Sequence, residues 1–133
     1  MRIELYAACL SVILGLVHII LASHSASLQR GYKWTASARD QPVAPLTGVA
    51  GRLERALDNF LETFPFFVAM VAVVHFTDAY GELSGLGALL YLAGRVIYLP
   101  LYAFGVFLAR SLAWNVATAG IVLLLASALL HPA

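Results

Sequence analysis

Four long apolar stretches alternate with short polar segments along the chain. From this alternation we predict helices over about residues 4–28, 51–76, 83–108 and 112–130. Each is roughly 20 to 25 residues long, which is the length that an α-helix needs to cross the hydrocarbon core of a lipid bilayer. The pattern therefore predicts an all-α membrane protein in which one domain, residues 1–133, contains four transmembrane helices.

The composition supports this placement. Hydrophobic residues make up 62% of the sequence and charged residues 11%, whereas a soluble domain carries about 25% charged residues. The net charge of +1 gives no indication of a nucleic acid partner. The N-terminal segment resembles a secretory signal, but its apolar stretch is long and Glu4 precedes it, so we expect it to be retained. Cys9 is the only cysteine, and we expect it to be a small core residue.

The second predicted helix begins with a concentration of polar residues that share one face, because they recur at spacings of three or four. They are Arg52, Arg55, Asp58, Asn59 and Glu62. Charged groups at membrane depth cost at least a few kcal/mol each unless they are paired or hydrated. This face therefore predicts the wall of a polar site between helices.

The third predicted helix carries a matching face. Arg95 lies about 12 residues into this helix, or about 18 Å along its axis, which is too deep for its side chain to reach water easily. It therefore needs a partner, for which Asp58 and Glu62 are the obvious candidates. Tyr98 and Tyr102 share its face at helical spacing.

The basic residues outside the helices predict the orientation. Arg30 and Lys33 lie in the first loop, and Arg110 with Ser111 marks the turn before the fourth helix. Because basic loops face the cytoplasm, we predict a multi-pass protein of the bacterial inner membrane with both termini on the non-cytoplasmic side. Arg30 serves either this topology or the polar site, and the sequence leaves both interpretations open.

In an antiparallel bundle, the polar faces of the second and third helices meet at similar depth. Arginines, carboxylates, an amide and phenol hydroxyls in one pocket suit a small zwitterionic or polyanionic ligand. The arginines outnumber the nearby acids, which favours an anionic ligand. The alternative is that these residues only neutralise each other, for example through a bridge between Arg95 and Glu62 that fixes the helix register.

Two motifs give the chain a family resemblance. R-A-x-x-N-x-x-E-x-x-P is present as Arg55, Ala56, Asn59, Glu62 and Pro65, and G-R-x-x-Y-x-x-x-Y as Gly94, Arg95, Tyr98 and Tyr102. With these motifs the chain resembles the MAPEG family, the membrane-associated proteins in eicosanoid and glutathione metabolism. The resemblance covers all four predicted helices in order and spacing.

The resemblance implies an up-down bundle, a homotrimer and a glutathione site between neighbouring subunits, open toward the cytoplasm. By position, the glutathione-binding residues would be Arg30, Arg55, Asn59, Glu62, Arg95, Tyr98 and Tyr102. Arg110 resembles the arginine that stabilises the glutathione thiolate in the family's transferases, and either Ser111 or Tyr98 would be the hydrogen-bond donor beside it. The chain also departs from the family, because Asp58 stands where some members carry a further arginine.

These observations lead to three functional hypotheses. The first is an integral membrane transferase or peroxidase that uses glutathione as thiol co-substrate on small hydrophobic electrophiles, with the catalytic roles held by Arg110 and Ser111. The second is a small proton-coupled transporter in which Glu62 carries substrate and proton in turn. The third is a binding protein that keeps the MAPEG fold without chemistry. No metal site is expected in any of them.

Overall fold

The computed structural model describes residues 1–131 and contains five α-helices in that range. They are α1 Ile3–Arg30, α2 Tyr32–Ala36, α3 Gly48–Phe76, α4 Glu82–Ala103 and α5 Phe107–Leu130. Of these, α1, α3, α4 and α5 are long and apolar enough to cross a membrane. The prediction of an all-α protein with four transmembrane helices is therefore confirmed.

Hydrogen bonds between the helices show that their directions alternate. Ser84 at the start of α4 donates a hydrogen bond to the carboxylate of Glu4, near the start of α1. The two helices therefore run in the same direction. Arg52 at the start of α3 donates to the carbonyl of Ala103 at the end of α4, so these two are antiparallel. Ser127 near the end of α5 donates to the carbonyl of Ala79, just before α4. The bundle is therefore up-down.

The third and fourth spans meet at an earlier turn than we predicted. The structure ends α4 at Ala103 and begins α5 at Phe107, whereas the sequence pattern placed this turn after residue 108. Gly105 has a φ of 74°, a left-handed conformation that ends helices and that glycine adopts without steric cost. The apolar residues around it hid this signal. As a result, Arg110 and Ser111 lie within α5 and not in a loop.

The α4 and α5 backbones approach each other closely along their length, because small residues face each other. A Cβ atom placed on Gly94 would lie 2.8 Å from the carbonyl oxygen of Ala113, and one on Gly87 would lie 2.6 Å from that of Gly120. Small residues at such positions are the usual means of tight helix packing in membranes. This pair positions Arg110 on α5 beside the end of α4.

Apolar side chains cover the outside of the bundle, as expected for contact with a lipid bilayer. Exposed examples on three spans are Ile13, Phe66 and Val122. Cys9 is also exposed, so our expectation of a core cysteine was wrong. The buried face of α1 instead carries polar residues, including Ser11 and His18, because this face looks toward the polar interior formed by α3 and α4.

Candidate functional site

A cavity of about 610 Å³ opens where α3 and α5 begin and α4 ends, which we call the polar end of the bundle. It is lined by Arg55, Asp58, Asn59, Glu62, Tyr98, Tyr102, Arg110, Ser111, Trp114 and Asn115. The structure thus brings together all of the sequence-predicted site residues except Arg30, Arg52 and Arg95. They meet because two helix faces, on α3 and α4, and the first two turns of α5 converge at this end.

Tyr102 connects the two arginines of the cavity wall. The Nε atom of Arg55 donates a hydrogen bond of 3.3 Å to the Tyr102 hydroxyl. The guanidinium of Arg110 lies 4.7 Å from the centre of the Tyr102 ring, in a cation–π contact. Since the side chains of Arg55 and Arg110 are both held by one phenol, their remaining N–H groups form a preorganised cationic wall.

Arg95 lies behind the cavity and is fully buried. Its Nη1 atom donates a 2.9 Å hydrogen bond to the side-chain oxygen of Asn59. The guanidinium also lies 4.7 Å from the ring centre of Tyr98 and 5.4 Å from that of Phe60. Its Nε and Nη2 atoms have no hydrogen-bond partner among the described residues.

The partner of Arg95 therefore differs from our prediction. We expected a carboxylate, from Asp58 or Glu62, but the hydrogen bond goes to the amide of Asn59. Asn59 is half-buried on the side of α3 that faces α4, whereas both carboxylates are exposed. The Arg95–Glu62 bridge that would have made the cluster self-neutralising is consequently not the contact that holds Arg95.

The interior beyond Arg95 is unusually polar. His18 stacks on Phe60 with ring centres 4.9 Å apart, and Gly15 makes room for that ring, since a Cβ there would lie 2.9 Å from Phe60. Both His18 nitrogens and the Tyr91 hydroxyl are buried and have no hydrogen-bond partner in the described part of the chain. His18 is thus buried against an aromatic ring of α3.

Arg30 lies away from the cavity of its own chain. It is the last residue of α1, and its guanidinium sits 5.4 Å from the ring centre of Trp34 in the first loop. Arg52 is also outside the cavity, because its Nε atom donates a 2.8 Å hydrogen bond to the carbonyl of Ala103. Arg52 thereby satisfies one of the free carbonyls at the end of α4.

Two residues of the wall were missed as site residues. Trp114 and Asn115 follow Ser111 at helical spacing on α5, and this periodicity was the signal that could have identified them. The Asn115 amide is held by a 2.8 Å hydrogen bond to the carbonyl of Ser111. The indole Nε1 of Trp114 is buried and has no hydrogen-bond partner among residues 1–131, so a donor remains available beside the cavity.

The charges that face the cavity are balanced. Arg55 and Arg110 contribute two positive charges, and Asp58 and Glu62 contribute two negative charges. The surplus of arginine that we inferred from the sequence is absent from the lining, since Arg52 and Arg95 are engaged elsewhere. A cavity with separated cationic and anionic groups fits a zwitterionic ligand that presents carboxylate and ammonium at different ends.

A model of the MAPEG family matches residues 7–130, which is nearly the whole chain. No curated protein is detectably similar in sequence. The family match covers all four membrane-spanning helices and every residue of the cavity lining.

Proposed function

Because the chain belongs to the MAPEG family, we propose that it is an integral membrane transferase or peroxidase that uses glutathione on small lipophilic electrophiles. Family membership supports a membrane protein of the glutathione and eicosanoid metabolism type, and the specific reaction is our proposal. The observation that carries it is the cavity at the polar end. There, two oriented arginines, two carboxylates, two amides and two phenols converge from three helices.

Glutathione has the charge pattern that this lining suits. Arg55 binds a carboxylate of the tripeptide through the N–H groups that Tyr102 leaves free. The Glu62 carboxylate accepts hydrogen bonds from the ammonium group of the ligand. The amide nitrogen of Asn59 donates a hydrogen bond to one of its peptide carbonyls. Arg95 does not touch the ligand in this proposal but holds the oxygen of Asn59, so that the amide nitrogen points into the cavity.

Arg110 carries the chemistry. A cation beside the glutathione sulfur lowers the pKa of that thiol, and the thiolate is the nucleophile. Arg110 and Ser111 lie in the first two turns of α5, whose N-terminus has no side-chain cap, so the positive end of the helix dipole adds to this stabilisation. The thiolate attacks the electrophilic carbon, a carbon–sulfur bond forms, and the leaving group takes the electron pair.

The surrounding bilayer supplies the second substrate. A lipophilic electrophile dissolved among the acyl chains reaches a cavity whose outer walls are apolar spans. Binding both reactants in one site replaces a bimolecular encounter with a local one, which lowers the entropic part of the barrier. We propose that the site is completed in a homotrimer. A role for Arg30 in glutathione binding stays a prediction that depends on a neighbouring subunit, because Arg30 does not line its own cavity.

The test is conjugation of glutathione to a chromogenic aryl halide by the purified full chain in detergent micelles or nanodiscs. We expect Arg110→Ala to lower kcat/KM by about 100-fold, the usual cost of removing one group that stabilises developing negative charge. Arg2→Ala, at the opposite end of the bundle, is the matched control and should retain activity. Absence of glutathione binding at millimolar concentration would refute the proposal.

A proton-coupled transporter is the second candidate, and one observation favours it. Glu62 is exposed to the cavity, and Arg95 bonds to Asn59, so this carboxylate is free to exchange a proton for a cation. The measurement that separates the two is substrate efflux from vesicles under a proton gradient. Efflux that Glu62→Gln abolishes, without glutathione conjugation, would replace the first proposal.

A further inference from the structure

A second cluster of basic residues surrounds Trp34 in the loop between α1 and α3. Arg30, Lys33 and Arg39 are its cations, and with Trp34 we call it the basic clamp. The clamp lines a cavity of about 700 Å³ that shares no residue with the cavity at the polar end of the same chain. Asp40 is the acidic residue of this lining, so its net charge is three minus one, or +2.

Two guanidinium groups converge on one indole ring. Arg30 lies 5.4 Å and Arg39 lies 5.8 Å from the ring centre of Trp34. The ring itself is held by a 3.1 Å hydrogen bond from its Nε1 atom to the carbonyl of Gln41. Cation–π contacts offset part of the cost of placing two like charges together, but a shared anion would neutralise them directly.

The loop holds Arg39 in a conformation that an arginine rarely adopts. Its φ is 61°, in the left-handed region, which costs a residue with a Cβ atom of order 1 kcal/mol or more. The strain is offset by a 3.1 Å bond from the Arg39 N–H to the Ser37 hydroxyl and a 3.0 Å bond from Arg39 Nε to the carbonyl of Thr35. The second bond holds the guanidinium on the side of the loop where it contacts Trp34.

Arg30, the other arginine of the clamp, has hydrogen-bond donors that are not used. The Nε atom of Arg30 is buried and has no hydrogen-bond partner among the described residues. Its Nη2 atom makes only a long contact of 3.5 Å to the carbonyl of Ala44. A half-buried guanidinium whose Nε–H has no partner, beside a second guanidinium, is an arrangement that suits a phosphate, whose oxygens accept from both.

The position of the clamp indicates where that phosphate comes from. Arg30 is the last residue of the membrane-spanning helix α1, and Trp34 follows within one turn of the next short helix, α2. This places the cations at the level of the lipid headgroups, where tryptophan and tyrosine also concentrate. We propose that the basic clamp binds the phosphate of an anionic phospholipid.

Trp34 provides a built-in reporter for the test. The chain has two tryptophans, so the Trp114→Phe background leaves Trp34 as the single indole emitter. The full chain is placed in bilayers that contain a minor fraction of phosphatidylglycerol in phosphatidylcholine, with bromine on the acyl chains of one lipid at a time. Bromine quenches indole fluorescence on contact, so the two series compare the lipids around Trp34.

We expect brominated phosphatidylglycerol to quench Trp34 well beyond its share of the bilayer. Lys33→Gln, an exposed position, and Arg39→Gln should each lower that excess by about fivefold, the effect of one basic residue near an anionic surface. Arg39→Lys keeps the charge and should retain most of the excess, which separates charge from loop folding. Arg2→Gln removes the same charge at the other end and should change nothing.

Two results would overturn the proposal. The first is quenching by brominated phosphatidylglycerol in proportion to its share, with no effect of Lys33→Gln. The second is loss of the excess when soluble glycerol phosphate is added at millimolar concentration, because the site would then prefer a free phosphate ester to a lipid. Persistence of the excess under glycerol phosphate supports the lipid assignment.

Discussion

The hydrogen bond between Arg95 and Asn59 predicts that the protein loses more stability when the acceptor is removed than when the buried charge is removed. Arg95 is fully buried, and Asn59 is its hydrogen-bond partner within the described residues. Replacing Asn59 with leucine, which has the same number of side-chain heavy atoms and the same branching, removes the acceptor and leaves the guanidinium buried. Leaving a buried charged donor without its acceptor in this way costs about 3 kcal/mol or more.

The reverse substitution should cost much less. Arg95→Met removes the charge, and the Asn59 amide that loses its partner belongs to a cavity-lining residue, so it can turn toward water. We expect the methionine to pack against the rings of Phe60 and Tyr98, which the Arg95 guanidinium contacts. We therefore expect a loss of about 1–2 kcal/mol, mainly from the two cation–π contacts and one charged hydrogen bond.

The assay is reversible unfolding in mixed micelles, followed by the loss of helical circular dichroism, on both single variants and the double variant. Because Asn59→Leu is costly only while Arg95 is charged, the double variant should be more stable than Asn59→Leu alone. An ordinary hydrogen bond between membrane helices averages about 0.6 kcal/mol. A loss near that value for Asn59→Leu, with additive effects in the double variant, would refute our reasoning.

Three further predictions concern the cavity and the helix packing. Asp58→Asn removes one of the two negative charges of the lining and should tighten glutathione binding by about fivefold in calorimetry, because about 1 kcal/mol of repulsion is removed. Asp40→Asn, outside the cavity, should leave the affinity unchanged. Weaker binding by Asp58→Asn would contradict the charge argument. Tyr102→Phe removes the hydrogen-bond acceptor for Arg55 but keeps the ring, so glutathione should bind about fivefold more weakly while the melting temperature hardly changes. Equal affinity of the variant and the original protein would show that this bond does not orient the arginine. Gly94→Ala should lower the free energy of unfolding by about 1–3 kcal/mol, because the added Cβ would lie 2.8 Å from backbone atoms of α5. Gly81→Ala, where the added Cβ would have no atom within 4 Å, should lower it by less than about 1 kcal/mol. Equal losses for the two variants would argue against the close approach of α4 and α5.

Much of this protein could be read from its sequence because the relevant information is local. Spans are recognised by apolar length alone, and the polar face of α3 follows from helical spacing. The same spacing placed Tyr98 and Tyr102 beside the residues of α3, and the structure brings them to one cavity. The two motifs that indicated the family are local in the same sense, because each consists of residues at helical spacing on one helix.

Tertiary structure decided which side chains meet. Two carboxylates and an amide on one face of α3 are all within reach of a facing arginine in principle. The rotation of α3 against α4 turns the amide of Asn59 inward and leaves Glu62 exposed, and spacing along one helix does not contain that rotation. The turn at Gly105 and the separation of Arg30 from the cavity also depend on the path of the chain between helices. Helix periodicity therefore determined the faces, and the packing of one helix on another determined the contacts.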